Sequence, residues 1–192
     1  MIKLKHAGFS LIEVLISVFV LALGVIGSAG MQLGALRTTQ QSAFQTTALE
    51  LAAEMADKMR ANASQMKRSD NLFLKVDYQS ASGADPAPPG AFCYGKDAAC
   101  DAEALARFDI YEWEKRIKSS LPGGRALICR DAAPWDSGAG ALTWTCSKPS
   151  FDSAGLVIKI GWQAKNPDGS LIHDAAKFFP PSVALAVEPY TK

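Results

Sequence analysis

Few side chains in this 192-residue chain have the type and spacing that chemistry requires. Four are cysteines: Cys93, Cys100, Cys129 and Cys146. Thiolates can bind zinc, but such sites rest on close Cys pairs and nearby histidines. The chain has no C-x-x-C string and no histidine beside its cysteines, so no metal is expected. Oxidation is the better use, and four cysteines allow three connectivities. A turn centred on Ser137 and Gly138, between strands at Arg125 to Arg130 and Leu142 to Cys146, would set Cys129 opposite Cys146. That register favours Cys129–Cys146, with Cys93–Cys100 closing a smaller loop. A bridge of the larger kind contributes about 3 kcal/mol.

Catalytic groups are scarce. The histidines are His6 and His173, and neither stands in a G-x-S-x-G or H-E-x-x-H string. No glycine-rich loop of the kind that cradles phosphates is present. We therefore assign no catalytic residue and no cofactor, and expect a protein that is not an enzyme. His173 reads as a surface residue in a strand-connecting segment. A net charge of +1, with no long basic tract, argues against nucleic acid as a partner.

The most informative carboxylate is Glu13. From Val14 to Leu36 the chain runs 23 residues without a charge, and roughly 20 apolar residues suffice to cross a bilayer as a helix. Glu13 stands at the edge of this run, preceded by Lys3 and Lys5. An acid inside a spanning helix costs up to roughly 3 kcal/mol at mid-membrane and usually marks function. The cationic start favours a cytoplasmic N-terminus with the remainder sent outward. The cysteines then lie in an oxidising compartment, where disulfides persist.

A cleaved secretory signal, cut after Ala29 in Gly27-Ser28-Ala29, and an uncleaved signal anchor are two readings of this start. Neither accounts for Glu13. The string Gly8-Phe9-Ser10-Leu11-Ile12-Glu13 closely resembles the class III leader of type IV prepilins and pseudopilins: a short basic leader ending in Gly, then Phe, then Glu five residues into the new chain. The resemblance implies cleavage between Gly8 and Phe9 by a prepilin peptidase, N-methylation of Phe9 by the same enzyme, and retention of the apolar helix. It further implies that helices stack with an axial stagger, so that Glu13 of one subunit meets the Phe9 amine of its neighbour. Removing one member of a buried ion pair costs about 3 to 5 kcal/mol, or roughly two to three decades in an assembly equilibrium.

The elements around these residues follow from periodicity. Leu36, Phe44, Ala48, Leu51, Met55, Met59 and Met66 recur at helical spacings, and Glu54 with Lys58 forms an i,i+4 pair. One helix from about Phe9 to Ser64 would extend about 84 Å at 1.5 Å per residue. Its outer apolar stripe is expected to pack on a head. In its inner half, Gly24, Gly27, Gly30 and Gly34 would let neighbouring membrane helices approach closely. Major pilins commonly carry a proline in this region, where this chain has Gly30.

Asn71 to Gln79 reads as a strand or an extended connector, and Ser80 to Gly90 as a proline-rich loop. A second helix, capped by Asp101, runs to about Ser120, with Ile110, Trp113, Ile117 and Leu121 on its apolar face. Glu112 with Arg116 and Glu114 with Lys118 would pair along its outer face. Strands follow at Arg125 to Arg130, Leu142 to Cys146, Leu156 to Trp162 and Val183 to Val187. Leu156, Ile158, Ile160 and Trp162 alternate onto one face, and Asn166-Pro167-Asp168-Gly169 signals a turn.

The expected fold class is thus α+β, a long N-terminal helix packed on a C-terminal antiparallel sheet of three to four strands, which is the pilin layout. The resemblance divides the chain into a cleaved leader at 1–8, a transmembrane assembly half of the helix at 9–36, an amphipathic half at 37–66 and a globular head at 67–192. The stretch Asp109 to Cys129, with its tryptophan-bearing helix and Leu-Pro-Gly-Gly exit, looks like that of minor pilins of the PilV type.

On that resemblance the chain is a minor pilin, held in the bacterial inner membrane with its head in the periplasm. It is then incorporated at low copy into a type IV pilus, helping initiate or organise assembly at the tip on the cell surface. Family members at the outermost position can lack the acidic residue, so Glu13 places this chain beneath another pilin. The implied partners are other minor and major pilins, the prepilin peptidase and N-methyltransferase, the inner-membrane pilus assembly machinery, the membrane itself and, as a further candidate, a tip adhesin. The alternatives are a type II secretion pseudopilin and, in another class, a membrane-anchored periplasmic binding module with an inert anchor.

Overall fold

The computed structural model describes residues 8–80, 85–96, 98–146, 154–166, 169–171 and 179–188. Lys3, Lys5, His6, His173 and the Pro167-Asp168 centre of the expected turn lie outside the described residues. By contacts the chain divides into two compact units, Met1–Gln40 and Gln41–Lys192.

Helix α1, Leu11–Ala61, runs through both units. It starts where Ser10 accepts backbone hydrogen bonds from Glu13 and Val14 at 3.0 and 3.2 Å, and it ends three residues earlier than its periodicity predicts. The break falls at Asn62. There the side chain accepts from Gln65 N, opening the single-turn helix α2, Ala63–Met66, and donates to Ala102 O at 2.7 Å. One amide thus ends one helix, caps the next and ties down the start of a third.

In the Gln41–Lys192 unit, Asn71 caps a 3-10 turn at Leu72–Lys75 that leads into strand β1, Asp77–Gln79. Helix α3, Ala102–Ser120, begins at Asp101, whose carboxylate accepts from Ala104 N at 2.7 Å. It stops at Leu121-Pro122-Gly123-Gly124. Gly123 has φ +59°, and a Cβ on Gly124 would fall 2.8 Å from Ile117 Cγ2, so the exit needs both glycines.

Five strands follow β1: β2 at Arg125–Arg130, β3 at Trp135–Asp136, β4 at Ala141–Leu142, β5 at Leu156–Gly161 and β6 at Val183–Val187. The main sheet has the order β1, β2, β5, β6, all antiparallel. The pilin-like α+β class expected from the sequence is the observed one.

Two expectations need correction. The turn at Ser137 and Gly138 does close a hairpin, but a separate and shorter one, of β3 with β4. β2 pairs with β5 instead, so Val157, and not Cys146, stands opposite Cys129. β5 offers six hydrogen-bonding positions rich in β-branched residues, and it outcompetes the short segment after the hairpin for the edge of β2. The outer face of α3 also departs from the expected ladder. Arg116 reaches across to Glu54 on α1, Lys118 goes to Asp85 at 2.5 Å, and Glu112 pairs with Lys115 at 3.7 Å. Contacts between elements displaced the i,i+4 pairs, each worth only about 0.2–0.5 kcal/mol.

One core joins these parts. Ala48, Leu51, Met55 and Met59 of α1, Trp113 and Ile117 of α3, and Ala126, Ile128, Ile158 and Ile160 of the sheet are all buried within it. Trp113 is wholly buried and its indole N–H donates to Leu51 O at 2.8 Å, so the two helices share a hydrogen bond as well as a packed surface. Further along α1, Trp162 Nε1 donates to Gln41 Oε1 at 3.3 Å, and its ring lies 6.5 Å from Phe44.

Candidate functional site: the N-terminal helix and its acid

The candidate site is the exposed first part of α1. Gly8, Phe9 and Ser10 precede the helix without regular structure, and all three are exposed. The Gly8–Phe9 peptide bond is therefore outside any helical hydrogen-bonded turn. Glu13 follows in the first turn of α1, where a carboxylate suits the positive end of the helix dipole. It is exposed, as are Phe9 at 84% and nearly every side chain to Gln40.

This helix is long and apolar enough to cross a membrane, and its apolar window buries none of its surface within the chain. Its hydroxyls suit that setting. Ser17 donates to Glu13 O, Ser28 to Val25 O, Thr38 to Gly34 O and Thr39 to Ala35 O, at 2.7 to 3.1 Å. Each of these four hydroxyl hydrogens is thereby satisfied inside the helix and would not face hydrocarbon unpaired.

A Cβ added at Gly24, Gly27, Gly30 or Gly34 would meet nothing within 4 Å. Among the described residues, no contact requires these glycines. At 3.6 residues per turn, Glu13, Gly24, Gly27 and Gly34 fall within about 80° of one another, and Gly30 about 40° further round. The acid and the small residues thus share one stripe, an alignment that the helical period dictates from their spacing alone.

The cysteines all lie in the Gln41–Lys192 unit and pair as Cys93 with Cys100 and Cys129 with Cys146, with S–S distances of 1.94 and 2.00 Å. No thiol is free to bind metal. The second bridge fastens β2 to the segment after the small hairpin, where Trp144 Nε1 also donates to Phe179 O at 2.5 Å. The helix tryptophan in the Asp109 to Cys129 stretch, Trp113, is core.

Two features depart from what sequence pattern implies. Alternation in β5 puts Lys159 on the outer face, yet it is fully buried because residues 143–146 cover that face. Helical spacing pairs Glu114 with Lys118, yet Glu114 sits part-buried in a cavity, and burial pushes its carboxyl up to about 7. A lone lysine inside Leu-Val-Ile-Lys-Ile-Gly is the available signal for the first. The second has none, because Asp85, which takes Lys118, is far away in the sequence.

Comparison with known families gives two matches. Residues 3–29 match the prokaryotic N-terminal methylation motif, and residues 30–111 match the family described as type IV pilin Tt1218. No curated protein and no solved structure matched significantly. The motif and the domain imply pilin partners and processing by a prepilin peptidase. They adjoin at residue 30, within α1, so the membrane-seeking helix belongs to both. Methylation motif first and the pilin-domain match directly behind it, residues 3–111 of the chain are similar to a type IV pilin.

Proposed function

We propose that this chain is a minor pilin, incorporated at low copy into a type IV pilus and helping to initiate or organise assembly at the tip. Its leader ends at Gly8, Phe9 becomes the N-methylated terminus, and the head lies in the periplasm until the subunit is extracted into the filament. The stretch from Asp109 to Cys129, similar to minor pilins of the PilV type, supports the minor role.

The observation that carries this reading is Glu13 on an exposed apolar helix, aligned with glycines at which an added Cβ would meet nothing among the described residues. A carboxylate in such surroundings needs a cation, and proteolysis after Gly8 creates one on the neighbouring subunit. Two isolated desolvation costs become one interaction. The glycine stripe lets the partner helix come close enough for it.

The test is Glu13→Ala, followed by membrane and sheared-surface fractionation. The variant should remain in the inner membrane at wild-type level and fall by roughly two to three decades in the sheared filaments, the equivalent of about 3 to 5 kcal/mol. Equal recovery in the filament fraction would refute the role of Glu13. Wild-type protein absent from sheared filaments altogether would favour the type II secretion pseudopilin.

A further inference from the structure

In the Gln41–Lys192 unit, one cavity is lined by both a carboxylate and an aromatic ring, Glu114 and Tyr111. It encloses about 290 Å³ between the turn at Leu72–Lys75, the Pro88-Pro89 loop and the face of α3 that carries Arg107, Ile110, Tyr111 and Glu114. That is close to the lower bound for a small-ligand site, roughly 300 Å³.

Glu114 is the unusual member. Lys118, one turn along α3, is held by Asp85 at 2.5 Å, and no hydrogen bond or ion pair reaches Glu114 among the described residues. Its carboxyl is displaced upward by burial with no opposing cation, which agrees with that geometry. The other charges do not supply the missing partner. Arg107 is neutralised by Glu103 at 2.7 Å, and Lys75 is solvent-exposed. Tyr78, whose buried hydroxyl also lacks a hydrogen-bond partner, lies within electrostatic reach of Glu114, Lys118 and Asp85.

Tyr111 lines the same cavity three residues before Glu114. Its ring already attracts a cation, with Lys115 Nζ 5.1 Å from the centroid. It also opens an aromatic series, since Phe92 lies 6.2 Å from Tyr111 and Tyr94 lies 5.8 Å from Phe92. Phe92 and Tyr94 are exposed, and Cys93 between them is anchored to Cys100.

We propose that this cavity binds an organic cation, a guanidinium or primary ammonium on an aliphatic stem, with Glu114 as counter-ion and Tyr111 as aromatic wall. The apolar side chains of Leu72, Val76 and Ile110 receive the stem. A carboxylate beside an aromatic face is the general recognition chemistry for such a group. The cation belongs to an arginine or lysine side chain of a protein partner, because the cavity's aromatic wall continues into exposed Phe92 and Tyr94, residue types that anchor protein interfaces.

The full-length protein in detergent micelles, isotope-labelled at tyrosine rings and glutamate carboxyls, is titrated at pH 8 with n-butylguanidinium, n-butyrate and acetyl-Ala-Arg-Ala-amide. Saturable shifts at Tyr111 and Glu114 are expected for the guanidinium and the peptide, and none for butyrate. Glu114→Gln should weaken both by about tenfold, with unchanged tryptophan fluorescence as the folding control. Phe92→Ser with Tyr94→Ser should weaken the peptide alone. Equal binding of butyrate, or undiminished binding to Glu114→Gln, overturns the site. Binding of n-butylguanidinium with exclusion of the peptide overturns the assignment to a protein side chain.

Discussion

Lys159 Nζ lies 2.6 Å from Asp131 Oδ2, and both side chains are wholly shielded from solvent. The ammonium also donates to Thr143 O and Thr145 O at 2.7 and 2.8 Å, while Asp131 Oδ1 accepts from Ala133 N at 3.0 Å. Asp131 Oδ2 meets Lys159 in ion-pair contact without hydrogen-bond alignment. The ammonium thus faces three oxygens, and the segment preceding Cys146 is held over β5. Together with Cys129–Cys146, this pair fastens a stretch that has almost no regular structure of its own.

Lys159→Met should therefore destabilise the head by about 3–5 kcal/mol, because it strands the Asp131 carboxylate in the interior. Combining it with Asp131→Leu should recover most of that loss. Chemical denaturation of the two variants in detergent distinguishes a stranded charge from lost packing. A double variant no better than the single one would show that the charge is not the cause.

Glu114 gives the head a pH dependence. Burial raises its folded-state pKa from 4.5 to about 7, so the folded state holds its proton more tightly than the unfolded chain. Stability should then fall as pH rises from about 4.5 to about 7 and stay lower above it. With its solvent-facing side discounted, the difference is about 1–2 kcal/mol. Glu114→Gln should flatten this part of the profile and be the more stable protein at pH 8. An unchanged pH profile in the variant would contradict the burial account.

Trp113 joins α1 to α3 through packing and through its bond to Leu51 O. Trp113→Ala should cost about 3–5 kcal/mol, whereas Trp113→Phe should cost less, since Leu51 O belongs to a helix and keeps a backbone donor. Thermal melts of both variants check the order. Equal losses would assign the effect to the hydrogen bond and not to the filled volume.

Replacing Cys129 and Cys146 together by Ala should lower stability by about 3 kcal/mol from the freed loop of 17 residues. The smaller Cys93–Cys100 loop should be worth somewhat less, and its loss should act mainly on Phe92 and Tyr94. Equilibrium unfolding of the two double variants, compared with reduced wild type, measures both terms.

Much of this fold is legible in the sequence because its signals are local. The Asp101 cap, the helix to Ser120, the glycine exit at Gly123-Gly124 and the stripe from Ala48 to Met59 each follow from residues a few positions apart. Glu13 in its apolar run is local too, and with Gly8 and Phe9 it points to the family unaided. What the sequence conceals depends on distant competition. The partner of β2 is decided by β5, some 26 residues further on at its end, and the partners of Arg116 and Lys118 come from α1 and the Asp85 loop. Lys159 is misplaced by pattern for the same reason: alternation in β5 identifies two faces but cannot say that residues 143–146 cover the second.

The central claim is that the apolar helix is kept after the leader is removed, and intact-mass analysis of protein from the native membrane tests it most directly. The account requires a chain that begins at Phe9 and carries a methyl group on its amine. A chain retaining Met1, or one beginning beyond Ala29, would contradict it.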